Sequence, residues 1–243
     1  MPKKPVRIGT VVLRPHVPTL VVPFTDHTPL AALRRARAEG LDFAEARVDL
    51  FEDRSVEAVR RVLRQVGRVL PVLLTLRSSR EGGAWRGDDA GRLALYRALL
   101  PDVAAVDVEL AAKIRPDVVR AAQRARRTVV LSHHDFRATP TDRVLDAVVV
   151  RGEKAGADVT KIAAFTPDDR AVARLAAVFA RHASSRLVVI GMGEHGKKTR
   201  VLFPALGSLF TFTSLDRATA PGQLGFRAML TELLRSYPDF SAE

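Results

Sequence analysis

Gly156-Ala157-Asp158-Val159-Thr160-Lys161-Ile162-Ala163 reads as a buried strand with a lysine in its middle, and Thr166-Pro167-Asp168 just beyond it opens a helix. A short polar cap followed by Pro or an acid satisfies the free N–H groups of a first helical turn and complements its dipole. The same unit recurs on both sides. Apolar runs rich in Val, Leu and Ile lie at 19–24, 42–48, 69–77, 103–109, 128–132, 157–162, 186–190 and 209–213. Helical stretches lie near 28–39, 55–67, 88–100, 114–125, 140–154, 167–182, 197–205 and 222–235, with further starts marked by Asp26, Thr28 and Pro29 and by Ser55 with Glu57. Strict strand-then-helix alternation predicts a parallel sheet covered by helices. Eight such units in 243 residues match a (β/α)8 barrel, read here as one catalytic domain over residues 1–243. An open doubly wound sheet would carry a glycine-rich phosphate loop after its first strand, and none is present. Residues 6–15 precede the first unit and are expected to form a short hairpin closing the barrel's N-terminal end.

Lys161 is unusual for its composition as well as its place. Of 39 basic residues only seven are lysines, at positions 3, 4, 113, 154, 161, 197 and 198. Where charge alone is needed the chain uses arginine. A guanidinium stays protonated, whereas an amine can lose its proton and attack a carbonyl. Burial and neighbouring arginines are both expected to favour that free amine. A lysine that snorkels or forms a buried ion pair is the alternative.

The net charge of +12 favours anionic partners. The arginines recur along helical segments (Arg34, Arg35, Arg37; Arg60, Arg61, Arg64; Arg124, Arg126, Arg127) in the spacing of solvated faces, and aromatic residues are only 6%. A small anion is therefore expected as the partner rather than nucleic acid. The absence of cysteine excludes a disulfide framework and a thiolate metal site, and fits a cytoplasmic protein. No run approaches the ~20 apolar residues of a membrane span, and the N-terminus lacks the apolar core of a signal peptide.

Strand side chains alternate faces. In Glu45-Ala46-Arg47-Val48-Asp49-Leu50 the three charged residues share one face, and Ala46, Val48 and Leu50 the other. Thr75 and Arg77 align, as do Asp107 and Glu109, and Ser132 and His134. Each polar face falls at the C-terminal end of its strand, where barrels of this kind carry their active sites. Glu45, Arg47, Asp49, Arg77, Asp107, Glu109, His134 and Lys161 are thus expected to converge. A lysine nucleophile, a histidine proton carrier, orienting carboxylates and anion-binding arginines suit carbonyl chemistry without a metal or cofactor.

These motifs resemble type I 3-dehydroquinate dehydratase, the Schiff-base class, over nearly the whole chain. The markers run in family order: Glu45-Ala46-Arg47-Val48-Asp49; Leu76-Arg77-Ser78 with Glu81-Gly82-Gly83; Ser132-His133-His134-Asp135-Phe136; 156–163; Met192-Gly193 leading to Arg200; and Ala220-Pro221-Gly222-Gln223. The resemblance implies that Lys161 forms an imine with the C3 ketone of 3-dehydroquinate, that His134 moves the protons, and that Glu81 sets the state of His134. It implies that Glu45, Arg47 and Arg77 hold ring hydroxyls, and that Arg200, Thr219 and Gln223 hold the carboxylate and close a loop. It also implies a homodimer and a place in the shikimate pathway. Thr219 stands where the family usually has Ser, and Glu194 where members often carry a base. His133 adjoins His134, but alternation lets only one face the pocket. Another Schiff-base barrel of the aldolase or transaldolase kind is the alternative, although its motif order is not seen.

Overall fold

In a computed structural model, which describes residues 5–215 and 221–237, the alternation becomes a ring of parallel strands inside a ring of helices. Two short strands come first, β1 (Val6–Ile8) and β2 (Val11–Leu13), paired antiparallel. The repeating units follow: β3 (Leu20–Phe24) and α1 (Leu30–Ala38); β4 (Phe43–Arg47) and α2 (Val56–Gly67); β5 (Val72–Thr75) and α3 (Asp89–Leu99); β6 (Ala105–Glu109) and α4 (Arg115–Arg124). The second half repeats the pattern: β7 (Thr128–Asp135) and α5 (Asp142–Lys154); β8 (Val159–Phe165) and α6 (Asp169–Arg181); β9 (Leu187–Met192) and α7 (Thr199–Ala205); β10 (Thr211–Phe212) and α8 (Phe226–Ser236). The sheet order is β10-β3-β4-β5-β6-β7-β8-β9, all parallel. The Leu209 N–H donates to Leu187 O at 2.9 Å across the remaining gap, so the barrel is nearly closed.

Alternation sorts the side chains into two cores. One face of each strand packs on the helices: Val22, Ala44, Leu74, Val106, Leu131 and Ile162 meet Leu33, Leu63, Leu99, Val118, Leu145 and Leu175. The other face points inward. Its first layer, Val21, Phe43, Leu73, Ala105, Val130, Val159, Val188 and Phe210, is apolar and packs against Val6, Ile8 and Leu13 of the hairpin. The hairpin thus plugs the N-terminal end, as expected. Gly9, at φ +59°, turns it so tightly against Pro71 that an added Cβ would stand 2.9 Å from the proline ring.

Local details depart from the sequence reading in three places. Strand β4 stops at Arg47, and Val48–Leu50 is a 3-10 turn. Ala46 and Val48 are buried as expected, but Leu50 is exposed. Strand β7 runs three residues past 132, which brings both histidines into it. Helix α1 begins after Pro29 with no side-chain cap, whereas Ser55 and Asp168 cap α2 and α6 through the N–H groups of Ala58 and Ala171.

Candidate active site

The second inward layer lies two residues further along each strand and is mostly polar, with Glu45, Thr75, Asp107, Ser132 and Lys161 beside the apolar Ile190 and Phe212. Register fixes the polar residues at this end as neighbours: Arg47 beside Thr75, Thr75 beside Asp107, Glu109 beside Ser132, and Ser132 beside Lys161. Above them a cavity opens at the C-terminal ends of the strands. Glu45, Arg47, Arg77, Glu81, His134, Lys161, Arg200 and Gln223 all line it, so the structure brings together every residue to which the resemblance gave a role except Thr219, which lies outside the described residues. Asp49, Asp107 and Glu109 do not reach the cavity wall. They stand behind it and hold the side chains that do.

Lys161 is 4% exposed. Its Nζ donates to Asp107 Oδ2 at 3.2 Å, lies 3.8 Å from Glu45 Oε1, and sits 4.2 Å from the centroid of the Phe212 ring. The charges nearest the amine are therefore carboxylates, not the arginines expected around it. The arginines are tied up by acids of their own. Arg47 makes a two-pronged contact with Asp49 at 2.9 and 2.8 Å, and Asp49 also accepts the Ala84 N–H. Arg77 binds Asp107 at 2.8 Å and donates to Ser132 Oγ at 2.7 Å, while the Ser132 hydroxyl donates to Asp107 at 2.6 Å. Burial opposes the Asp107 charge, but Arg77 and Lys161 outweigh it and hold that carboxyl well below its usual range. Burial likewise opposes the Arg77 charge, and Asp107 and Glu109 more than reverse the effect. Glu45 accepts from Thr75 Oγ1 at 2.8 Å.

His134 faces the cavity, and His133 points to the other side of β7. Burial, with Arg77 and Lys161 adding to it, pushes the His134 imidazole well below 6.5, so the ring is neutral at pH 7. Its Nδ1 lies 2.9 Å from Glu81 Oε2, which also accepts the His134 backbone N–H at 3.0 Å. An ionised Glu81 accepts Nδ1–H and leaves Nε2 as the basic nitrogen. Burial pushes Glu81 itself up to about 7 against the pull of Arg77, and Glu109 adds to the rise.

Arg200 differs from the other arginines of the site. It is 2% exposed and meets no carboxylate among the described residues; burial alone pulls it down to about 10. Its donors go to the carbonyls of Gly222, at 2.8 Å, and Pro221, at 3.2 Å. A buried cation with neutral partners is costly to desolvate and suited to pairing with an anion. Glu194, flagged in the loop before it, is exposed and paired with Lys197 instead of facing the cavity.

Sequence reasoning missed the apolar wall: Phe136, Ala163, Ile190, Met192 and Phe212. The last four fall on the inward parity of their strands and could have been found that way. It also missed Arg92, whose signal was its place in the apolar stripe Arg92, Leu95, Tyr96, Leu99 of α3. Among the described residues no group of three or more His, Cys, Asp or Glu is placed to hold a metal, and no helix is long and apolar enough to cross a membrane.

A lysine, a histidine and a guanidinium that meets no carboxylate among the described residues, together at the C-terminal mouth of an eight-stranded parallel barrel, mark the class: a (β/α)8 barrel enzyme. The family model of type I 3-dehydroquinase matches residues 20–237, and the chain belongs to that family. It is 38% identical to the 3-dehydroquinate dehydratase of Methanosarcina barkeri over 203 residues, 78% of this chain and 83% of that one. Solved relatives share the shape. The 3-dehydroquinate dehydratase of Aquifex aeolicus superposes with a TM-score of 0.82 at 30% identity, covering 90% of this chain and 99% of the other. The type I enzyme of Clostridium difficile, solved with covalently modified comenic acid, superposes with a TM-score of 0.88 at 25% identity, covering 98% and 99%.

Proposed function

We propose that this chain dehydrates 3-dehydroquinate to 3-dehydroshikimate through an imine on Lys161, with His134 carrying the protons. The observation that carries the reading is the meeting of Lys161, His134 and Arg200 on one cavity. The name borne by the relatives supports the substrate. In the first step the Lys161 amine adds to the C3 ketone and the carbinolamine loses water, leaving an iminium. That cation withdraws electrons from the neighbouring carbon, so a weak base suffices. His134 Nε2 takes the C2 proton, and the pair of electrons left behind forms an enamine. The enamine expels the C1 hydroxyl, which leaves as water with the proton returned from His134. Water then hydrolyses the iminium and frees the amine.

The remaining residues have roles suited to that sequence. Arg200, with Gln223 and Thr219, binds the substrate carboxylate. Glu45, Arg47 and Arg77 hold its hydroxyls, and Glu81 keeps His134 in the basic tautomer. Asp107 and Phe212 present a negative and a π-face to the nitrogen that becomes cationic as the imine forms. The reaction as written uses neither metal nor cofactor. The family resemblance supports a place in the shikimate pathway of aromatic amino acid biosynthesis and a homodimer, and we propose a single-domain cytoplasmic enzyme.

Borohydride reduction in the presence of 3-dehydroquinate tests the reading. The expected result is a stable adduct on the peptide containing Lys161, alongside a rise in enone absorbance without borohydride. Full turnover with no adduct on Lys161 would exclude the imine.

A further inference from the structure

Arg92 is a buried cation that the proposed chemistry does not use. It sits on α3, outside the barrel, yet is 2% exposed. Its guanidinium reaches inward to two groups. Nε donates to Leu76 O at 2.8 Å, and Nη2 contacts Leu76 O and Glu109 Oε2. Leu76 precedes Arg77 at the end of β5. Glu109 ends β6, and its other oxygen accepts the Ser78 N–H at 2.7 Å and lies 3.5 Å from Arg77 Nη1. Ser78 is in turn the anchor of the turn that carries Glu81: its carbonyl accepts the N–H groups of Glu81, at 3.0 Å, and Gly83, at 2.9 Å. A chain of contacts therefore runs from Arg92 through Glu109 and Ser78 to Glu81 and His134. Arg92 is not part of the cavity wall and opens instead onto a separate cleft with Ser79, Trp85 and Lys113.

We propose that Arg92 is a positioning residue for the Glu81–His134 pair, acting from the outer helix by neutralising Glu109 and pinning the turn that bears Glu81. This rests on the dehydratase reading and deepens it. Without Arg92, the carboxylate at 109 would be a less compensated buried negative charge near a second carboxylate that must ionise. The charged and titratable groups facing Glu81 are Arg77, which favours its ionised form, and Glu109 and Asp107, which oppose it, together with His134. Those facing Arg92 are Glu109, Tyr96 and Arg77. Tyr96 completes the mount: its ring lies 5.9 Å from the guanidinium and its hydroxyl donates to Asp107 O at 2.7 Å.

The pH dependence of kcat separates this role from a merely structural one. Arg92→Met leaves Glu109 with Arg77, at 3.5 Å, as its remaining cationic partner, so the acid limb should move up by about half a pH unit or more, with kcat falling about ten- to a hundredfold and KM little changed. Glu109→Gln removes a group that opposes ionisation of Glu81, so the limb should move down by a similar amount. The double variant removes one charge of each sign and should return the limb towards the parent's position. If Arg92→Met does not fold, Glu109→Gln and the double variant decide alone: the first must move the limb down, and the second must lie above it. Limbs that stay fixed in the single variants, or that move the same way in Arg92→Met and Glu109→Gln, overturn the inference. The His134 ring signals of the substrate-free protein, followed by NMR against pH, should shift in the same directions without turnover. A parent protein that titrates as described yet never dehydrates 3-dehydroquinate would sink the functional reading and leave the positioning role standing.

Discussion

Phe43 and Glu45 leave β4 on the same inward face, two residues apart, and enter different worlds. Phe43 belongs to an apolar layer closed by the hairpin, with its ring 5.3 Å from that of Phe210 in an edge-on contact. Glu45 belongs to a layer holding Arg47, Arg77, Asp107, Glu109, His134 and Lys161, most of them under a tenth exposed. The fold is identical at both levels, so the difference is chemical. Buried apolar surface contributes roughly 25 cal/mol per Å² and needs no partner. Buried charges require partners and, even paired, often contribute nothing net. The lower layer is the part of the barrel interior that stabilises it, and under the proposed function the upper layer is kept for what it does to a substrate.

Substitutions on the two levels should break different properties. The largest expected effect is Lys161→Arg. It preserves the positive charge beside Asp107 but removes the only group proposed to form the imine, and turnover should fall by about 10⁴-fold or more. The thermal transition should move little by comparison. A variant with a near-normal rate would remove Lys161 from the mechanism. Phe43→Ala is the converse. It should cost about 3–5 kcal/mol of stability through lost burial and a cavity, read from the shift of a denaturant transition. The rate per folded molecule at low temperature should stay within a few-fold of the parent. A large loss of rate at full folding would show that the lower layer positions the chemistry and that the two levels are not separable.

The two layers also differed in how far they could be read from the sequence. The apolar layer and the outer core follow from period-2 and period-3.6 patterning, and every strand and helix lies within a few residues of its expected place. The inward parity of Glu45, Arg77, His134 and Lys161 followed from the same alternation. What alternation could not show was pairing. Asp49 holds Arg47 only because the chain leaves strand geometry at Val48, and a strand reading would have aimed it at the cavity instead. That Lys161 meets Asp107 and not an arginine depends on side-chain reach across β6, β7 and β8. Arg92 enters from α3, a helix whose arginines the sequence reading did not single out. Such contacts are tertiary, and no local pattern encodes them.

Glu81 tests the comparison most finely, because there function and stability should pull apart at one carboxyl. Its value of about 7, up from the usual 4.5, has burial as the main cause. Below about pH 7 it is protonated and no longer holds Nδ1–H of His134 as an ionised acceptor, so activity should decline about tenfold per pH unit on the acid side. The sign for stability is opposite. A carboxyl raised in the folded state binds its proton more tightly there than in the unfolded chain. Between pH 4.5 and about 7 the folded state therefore holds more protons, and stability falls as pH rises through that window. Glu81→Gln removes the ionisation altogether. The variant should lose the acid limb along with much of its rate, and at pH 8 it should be more stable than the parent by about 1–3 kcal/mol. At pH 4, where the parent carboxyl is protonated in both states, that difference should nearly vanish. Equal stability of the two proteins at pH 8 would show that the Glu81 charge is fully compensated by Arg77, and that this part of the upper layer is no burden to the fold.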